Sequence, residues 1–333
     1  MSALLVVRPS SLGDVVHALS IVADVARARP GTSIDWVCEP AFAELPALSP
    51  HVRNVIPFAL RRWRKALHER QTWREARAFG RAVRETRYDV ILDLQEQIKG
   101  GVVARIARGV RHGFDRASIR EPVATLFDDV HHRVPRDAHF ATRCRALAAA
   151  ALGYAVDGMP RWDLVPARQA GVPSGGPERE AALPRGRYAV AMHATSRESK
   201  LWPEAHWRTL IGDLSRAGIS TVVPWGDAAE RERSLRLAQG IDAAIVPERQ
   251  PLRAMAMLLA GAEVALGVDT GLTHLAAALR TPTIALFTQT DPRRAGVAIT
   301  GPHAKDLGGC GIVPALEDVQ VALQALLDAS PRC

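Results

Sequence analysis

Four short segments of this 333-residue chain carry residue types that do chemistry at the points where strands should turn into helices. R-P-S-S-L-G-D, Arg8 to Asp14, sets Ser11 and Gly13 ahead of a carboxylate at a helix start. Backbone N–H groups and the helix dipole favour an anion at such a place. Asp14 is either a first-turn cap or a general base, since the same dipole keeps it ionised. His17, three residues on, could orient it or be an ordinary surface histidine. H-A-T-S-R-E-S-K-L-W-P, His193 to Pro203, offers the hydroxyls of Thr195 and Ser196 and the mobile charge of Lys200. Those are the pieces needed to hold a phosphate without a Walker loop. P-W-G-D-A-A-E, Pro224 to Glu230, ends in a carboxylate that could accept both hydroxyls of a ribose or be a solvated first-turn glutamate. In A-L-G-V-D-T-G-L-T-H-L, an apolar strand ends in Asp269, and Thr270, Gly271 and Leu272 open a helix that carries His274. Together these turns describe a nucleotide-diphosphate site in which cations and dipoles, with no metal, stabilise the pyrophosphate.

Such turns need strands to carry them. Short β-branched or Leu-rich runs alternate with Ala/Arg-rich segments of helical period, the pattern of a parallel sheet with crossover helices. Strands are expected at 3–8, 33–38, 52–57 and 88–94, with helices starting near Asp14, Ala41, Thr72 and Ile98. The Pro- and Gly-dense segment 158–186 reads as a linker. Beyond it, strands are expected at 187–193, 219–224, 243–246, 263–268 and 282–287, and helices at 204–217, 228–239, 251–260 and 272–279. The expected division is a Rossmann-like domain over 1–157, a second over 187–315, and a last helix within 316–333. The ligand site is expected between the two domains, at the carboxyl ends of their strands.

Composition narrows the class. With 47% hydrophobic and 23% charged residues, neither disorder nor a disulfide scaffold is needed. Cys38, Cys144, Cys310 and Cys333 are far apart and form no C-x-x-C pair, as expected in a reducing compartment. The run Ala3 to Val7 is too short for a signal segment, and no stretch reaches the roughly 20 apolar residues of a membrane span. A cytoplasmic protein with at most peripheral membrane contact is expected. A dinucleotide-dependent oxidoreductase is a rival on the same frame, but the G-x-G-x-x-G fingerprint is missing. A non-catalytic binding protein is another, although it would leave these turns without a use.

The net charge of +8 is local: Arg53 to Arg87 holds eleven basic residues against Glu69, Glu75 and Glu85. Its first part, V-I-P-F-A-L-R-R-W-R-K, reads as a loop whose arginines suit phosphate or carboxylate, with Trp63 at a lipid or sugar interface. The helix after it reads as amphipathic, with a solvated basic face. Nucleic acid is the rival polyanion, and 5% aromatic residues with no recognised nucleic-acid module argue against it.

S-S-L-G-D-V-V-H, I-P-F-A-L-R-R-W-R-K, R-E-P-V-A-T-L-F, H-A-T-S-R-E-S-K-L-W-P, P-W-G-D-A-A-E and V-D-T-G-L-T-H-L follow one another along this chain. In this combination and order the sequence resembles the lipopolysaccharide heptosyltransferase I family. The resemblance implies a GT-B fold, an α/β architecture of two Rossmann-like domains. It implies inverting transfer of heptose from ADP-L-glycero-β-D-manno-heptose to the first Kdo of Kdo-lipid A at the cytoplasmic face of the inner membrane, with no cofactor. The last helix would cross back to the N-terminal domain. By motif, Asp14 would be the catalytic base and Lys200 the donor-phosphate lysine. Thr195, Ser196, Glu230, Asp269, Thr270, Gly271, Leu272 and His274 would line the donor site. Ser11, Gly13, Arg61, Arg62, Arg64, Lys65 and Arg120 would line the acceptor site. Gln250 departs from the apolar residue the family often has near the adenine. A transferase adding the second heptose is the nearest alternative within the family.

Overall fold

Leu4 to Val7 are fully buried, and so are most residues of the other central strands. Continuous rather than alternating apolar runs are what a parallel sheet covered on both faces requires. A computed structural model of the chain describes residues 2–166 and 184–329. It divides into two units, Met1–Gly175 and Gly176–Cys333. Much of the expected linker, residues 167–183, lies outside the described residues, as does Cys333.

The first unit runs β1 (Ala3–Val7), α1 (Leu12–Ala18), α2 (Ser20–Ala28), β2 (Ser33–Cys38), α3 (Glu44–Ala47) and β3 (Val52–Pro57). It continues with α4 (Leu60–Trp63), α5 (Arg70–Glu85), β4 (Arg87–Asp93), α6 (Ile98–Ile106), β5 (Arg108–Phe114), β6 (Val130–His132) and α7 (Phe140–Leu152). Its six strands are parallel in the order β3-β2-β1-β4-β5-β6. Leu4 of the central strand pairs with Ile34 on one side and Val90 on the other. On one face Phe58, Trp63, Phe79 and Val83 pack with Val103 and Ala104. On the other, α7 is clamped to α2 by a buried Arg145–Asp24 ion pair with Nε 2.6 Å from Oδ2. Such a pair is costly to break, because the remaining charge would stay buried. Gly153, at φ +66°, ends α7 in the left-handed conformation that glycine adopts without steric penalty.

The second unit contains β7 (Tyr188–Met192), α8 (Glu204–Arg216), β8 (Ser220–Val222), α9 (Ala228–Ala238), β9 (Ala244–Ile245) and α10 (Leu252–Ala260). Then come β10 (Val264–Val268), α11 (Gly271–Ala278), β11 (Thr283–Phe287), α12 (Pro292–Ala295), β12 (Ala304–Gly308) and α13 (Leu316–Ala329). Its parallel order, β12-β11-β10-β7-β8-β9, is the first sheet's order repeated with its own strands. The last helix, expected to cross back, buries Val319, Ala322, Leu323 and Leu326 in the core of its own unit with Trp207, Leu210 and Leu286.

In both sheets the connections reverse direction beside the first strand, between β1 and β4 and between β7 and β10. The crevice outside the carboxyl ends of such a strand pair is where open α/β sheets take ligands.

Candidate active site

Beyond β1, residues 8–11 turn into α1, and Ser11 is the cap of that helix. Asp14 Oδ2 accepts from the Ser11 backbone N–H (3.0 Å) and hydroxyl (2.8 Å), and lies 2.7 Å from Arg8 Nη2. With all three donors on Oδ2, Oδ1 is the oxygen left for a substrate proton. The capping role is therefore real, and it fixes the carboxylate rather than hiding it: the side chain stays 38% exposed. Burial pushes the Asp14 carboxyl up, but Arg8 and the Ser11 hydrogen bonds outweigh it and hold the group below its ordinary range. His17 is a buried residue, set edge-on against His139 and Phe140, and not a surface one.

Asp14 lines a cavity of about 340 Å³ together with Arg8, Arg61, Lys99, Arg120 and Arg143. Lys99 Nζ donates to Ser10 Oγ at 2.9 Å, and burial beside Arg8 and Arg61 lowers the proton affinity of its amine. Arg143 pairs with Glu96 at 2.7 Å, and both are buried. Glu96 has φ +60°, a left-handed backbone that only a well-determined site sustains in a residue with a side chain. Just before it Asp93 ends β4, accepts the Gln95 N–H at 2.8 Å, and is driven well above the usual carboxylate range by burial and by Asp128. A Cβ on Gly100 would stand 2.4 Å from Gln95 Cβ, so α6 can approach this turn only with glycine there. The cavity thus offers one carboxylate available as a base among several cations, which suits an anionic substrate.

The basic segment divides. Its start belongs to β3, and Leu60–Trp63 form α4 rather than a loop. Arg61 lines the cavity, with its guanidinium 5.8 Å from the Phe42 ring. Arg62 is tied to Glu75, which also takes the Trp63 indole N–H at 2.9 Å. Trp63 is buried against Phe58 and Phe79, so the interface expected for it is corrected: the ring belongs to the core. Arg64 and Lys65 are exposed, Arg120 lines the cavity, and Gly13 lies in the first turn of α1.

In the second unit the centre is Asp269, just past β10. Its Oδ2 accepts from Lys200 Nζ (2.5 Å) and Thr290 Oγ1 (2.7 Å), and its Oδ1 lies 3.3 Å from His274 Nε2. Its backbone carbonyl accepts from Thr195 Oγ1 at 3.0 Å. Burial raises the Asp269 carboxyl, but His274, Lys200 and Thr290 outweigh it and keep it well below the usual range. The turn after β7 is thereby bound to the turn after β10, across the crevice the strand order predicts. Thr270 and Gly271 begin α11, and Leu272 follows. A Cβ on Gly267 would be 2.0 Å from Thr273 Oγ1, so this glycine lets α11 lie against β10. Asp227 caps α9 by accepting the Glu230 N–H at 2.9 Å, and Glu230, in the first turn, takes the Gly226 N–H at 2.6 Å. Ser196 is exposed, and the Gln250 amide donates to the Glu248 carbonyl. A hollow of about 560 Å³ at the far end of α9, around Leu235 and Val246, brings no comparable set of polar groups together.

Arg8, Lys99, Arg143 and Thr290 were not singled out in the sequence. Arg8 directly follows β1, and Lys99 opens the helix after β4. Knowledge that these two strands are neighbours would have found both.

A model of glycosyltransferase family 9 (heptosyltransferase) matches residues 76–312. The chain belongs to glycosyltransferase family 9. This family 9 glycosyltransferase is 41% identical over 291 residues to lipopolysaccharide heptosyltransferase 1 of Escherichia coli K12, covering 86% of this chain and 88% of that protein. To the Pseudomonas aeruginosa lipopolysaccharide heptosyltransferase 1 it is 43% identical over 292 residues, 86% and 79% of the two lengths. The solved structure of E. coli heptosyltransferase WaaC with ADP matches with a TM-score of 0.87 at 36% identity, over 98% of this chain and 100% of that one. E. coli ADP-heptose lps heptosyltransferase II, at 21% identity and a TM-score of 0.73, shares the fold. The GT-B class expected from the sequence is the class observed, and the oxidoreductase reading is set aside.

Proposed function

We propose that this glycosyltransferase moves L-glycero-D-manno-heptose from ADP-heptose to the first Kdo of Kdo-lipid A, inverting the anomeric centre. The observation that carries this reading is the division of labour between the two crevices. The first unit holds an ionised carboxylate in a cation-lined cavity. The second gathers Lys200, Asp269, His274 and Thr290 beside a helix start. Relatives named lipopolysaccharide heptosyltransferase 1 support it, as does the solved WaaC with ADP-2-deoxy-2-fluoro heptose at 36% identity.

A nucleotide sugar already carries its leaving group, so one base is enough. Asp14 accepts the proton of the attacking Kdo hydroxyl through Oδ1 while Ser11 and Arg8 hold Oδ2. The hydroxyl oxygen bonds to the anomeric carbon as the bond from that carbon to the β-phosphate oxygen breaks. ADP departs with the electron pair. Lys200, Thr195, Ser196 and the first N–H groups of α11, at Gly271 and Leu272, meet the charge that grows on the diphosphate. Asp269 and His274 hold this group in place, with Thr270 at the helix start. Glu230 keeps one side of its carboxylate for the ribose. Arg61, Arg120, Arg64 and Lys65 attract the anionic acceptor, and the reaction takes place at the cytoplasmic face of the inner membrane.

The test is transfer from ADP-heptose, UDP-sugars and GDP-sugars to Kdo-lipid A with and without a first heptose. Product from ADP-heptose on the unheptosylated acceptor is expected. Product only on the heptosylated acceptor would make the enzyme the second transferase of the core, and product only from another nucleotide sugar would overturn the reading.

A further inference from the structure

On one face of the first sheet, α5 packs on α6, and α6 packs on the short turn of helix Pro122–Phe127. This layer exposes large apolar side chains that a folded domain ordinarily covers: Leu126 is 82% exposed, Val123 57% and Trp73 52%, with Leu67, Ile98 and Val102 also open. Ile98 and Val102, four residues apart, share one side of α6. Lys99, between them, reaches Ser10 and lines the acceptor cavity. The apolar side chains therefore stand on the elements that build the cavity.

The charge around them is mostly positive, with Glu69 an exposed acid among them. Arg64, Lys65, Arg70, Arg74 and Arg105 are exposed. Two nearby acids are engaged internally: Glu75 holds Arg62 and Trp63, and Glu121 accepts the Ile98 N–H and the Gln97 amide, both at 2.9 Å. Trp73 already donates its indole N–H to the Leu67 carbonyl at 2.8 Å, so burying the ring in hydrocarbon strands no donor. Scattered apolar side chains among arginines and lysines are the composition of a surface that lies in a lipid headgroup boundary.

We infer that the α4–α5–α6 layer and the Pro122–Phe127 turn form a docking surface for an anionic phospholipid bilayer, with Val123, Leu126 and Trp73 entering the acyl boundary. The inference deepens the glycolipid reading of the acceptor but is tested without it. The full chain is floated with phosphatidylethanolamine/phosphatidylglycerol vesicles and with phosphatidylcholine vesicles, without donor or acceptor. Wild type should bind the anionic vesicles more tightly, and less so as salt rises. The double variant Val123→Ser, Leu126→Ser should lose about tenfold or more in partitioning, the scale of two partly buried apolar side chains. Turnover on a deacylated, soluble Kdo acceptor should not change. Equal partitioning of variant and wild type, or no flotation of wild type, overturns the inference. So does a parallel loss of turnover on the soluble acceptor, because the two residues would then serve the site. A dimer that the double variant splits would assign the surface to a second copy of the chain instead. Failure of transfer activity with vesicle binding intact would count against the proposed reaction alone.

Discussion

Lys200→Met, which removes the ammonium and keeps an unbranched stem, separates two roles that the geometry superimposes. In the resting protein Nζ lies 2.5 Å from Asp269 Oδ2, with the lysine side chain 21% and the aspartate 11% exposed. Stripping one partner from a buried pair costs about 3–5 kcal/mol when the other charge is left alone. Asp269 would keep Thr290 at 2.7 Å and His274 at 3.3 Å, so a stability loss of ~1.5–3 kcal/mol is expected, the scale of one charged hydrogen bond. A preorganised donor on departing charge is worth roughly 10²–10³ in turnover, about 2.7–4 kcal/mol. The variant should therefore lose two to three orders of magnitude in kcat, measured by steady-state transfer, while denaturant unfolding shifts modestly. The decisive comparison repeats the substitution in an Asp269→Asn background. A lysine that only neutralises Asp269 would then have nothing to do, whereas one that meets the diphosphate would still be missed by a large factor. No measurable cost of Lys200→Met in that background would refute the phosphate role.

Asp14→Asn should lower turnover by roughly 10²–10⁴, the usual worth of a positioned base, with donor affinity in a binding assay unchanged. Because Arg8 holds the Asp14 carboxyl down against burial, Arg8→Gln should move the acid limb of kcat/KM to higher pH; an unmoved limb would show that Arg8 does not act on the base. The same depression makes Asp14 stabilising above its unfolded pKa, a contribution lost as pH falls through the folded value, so Arg8→Gln should flatten the acid side of the stability profile. Gly267→Ala should cost about 1–3 kcal/mol by overpacking, since Thr273 Oγ1 occupies the space its methyl needs; thermal unfolding reads this directly. Glu230→Gln keeps an acceptor for the Gly226 N–H, so unfolding should change little while the donor KM rises; an unchanged KM would leave Glu230 with only its bond to the Gly226 N–H.

The central strands were legible because parallel burial on both faces leaves uninterrupted apolar runs, as in Ala3–Val7 and Val264–Val268. β5, β6 and β12 lie toward or at the sheet edges, and their half-exposed sequences, R-G-V-R-H-G-F, V-H-H and A-K-D-L-G, carry no such run. The helix expected from Ala41 is a 3₁₀ turn followed by the four residues of α3, with Pro46 inside. α7 was not anticipated although its alanines and Gly153 gave a signal. Asp269 stood out because an acid ending a buried strand has few structural reasons to be there. Thr290 did not, since a threonine after a strand is ordinary until the fold brings it to Asp269. Arg8 and Lys99 lie far apart in the chain, and only strand order makes them neighbours.

That strand order also sets a timetable for synthesis. β1 lies at the centre of its sheet, yet one of its two partners, β4, ends at Asp93. At translation rates of 5–20 residues per second, roughly 5–20 s separate the start of the chain from the appearance of that strand. Through that interval Leu4–Val7 can pair on one side at most. β7 waits in the same way for β10, more than seventy residues later. Each unit thus has a period in which its most apolar strand is half-covered, so aggregation of nascent chains should begin at the strands that finish most deeply buried.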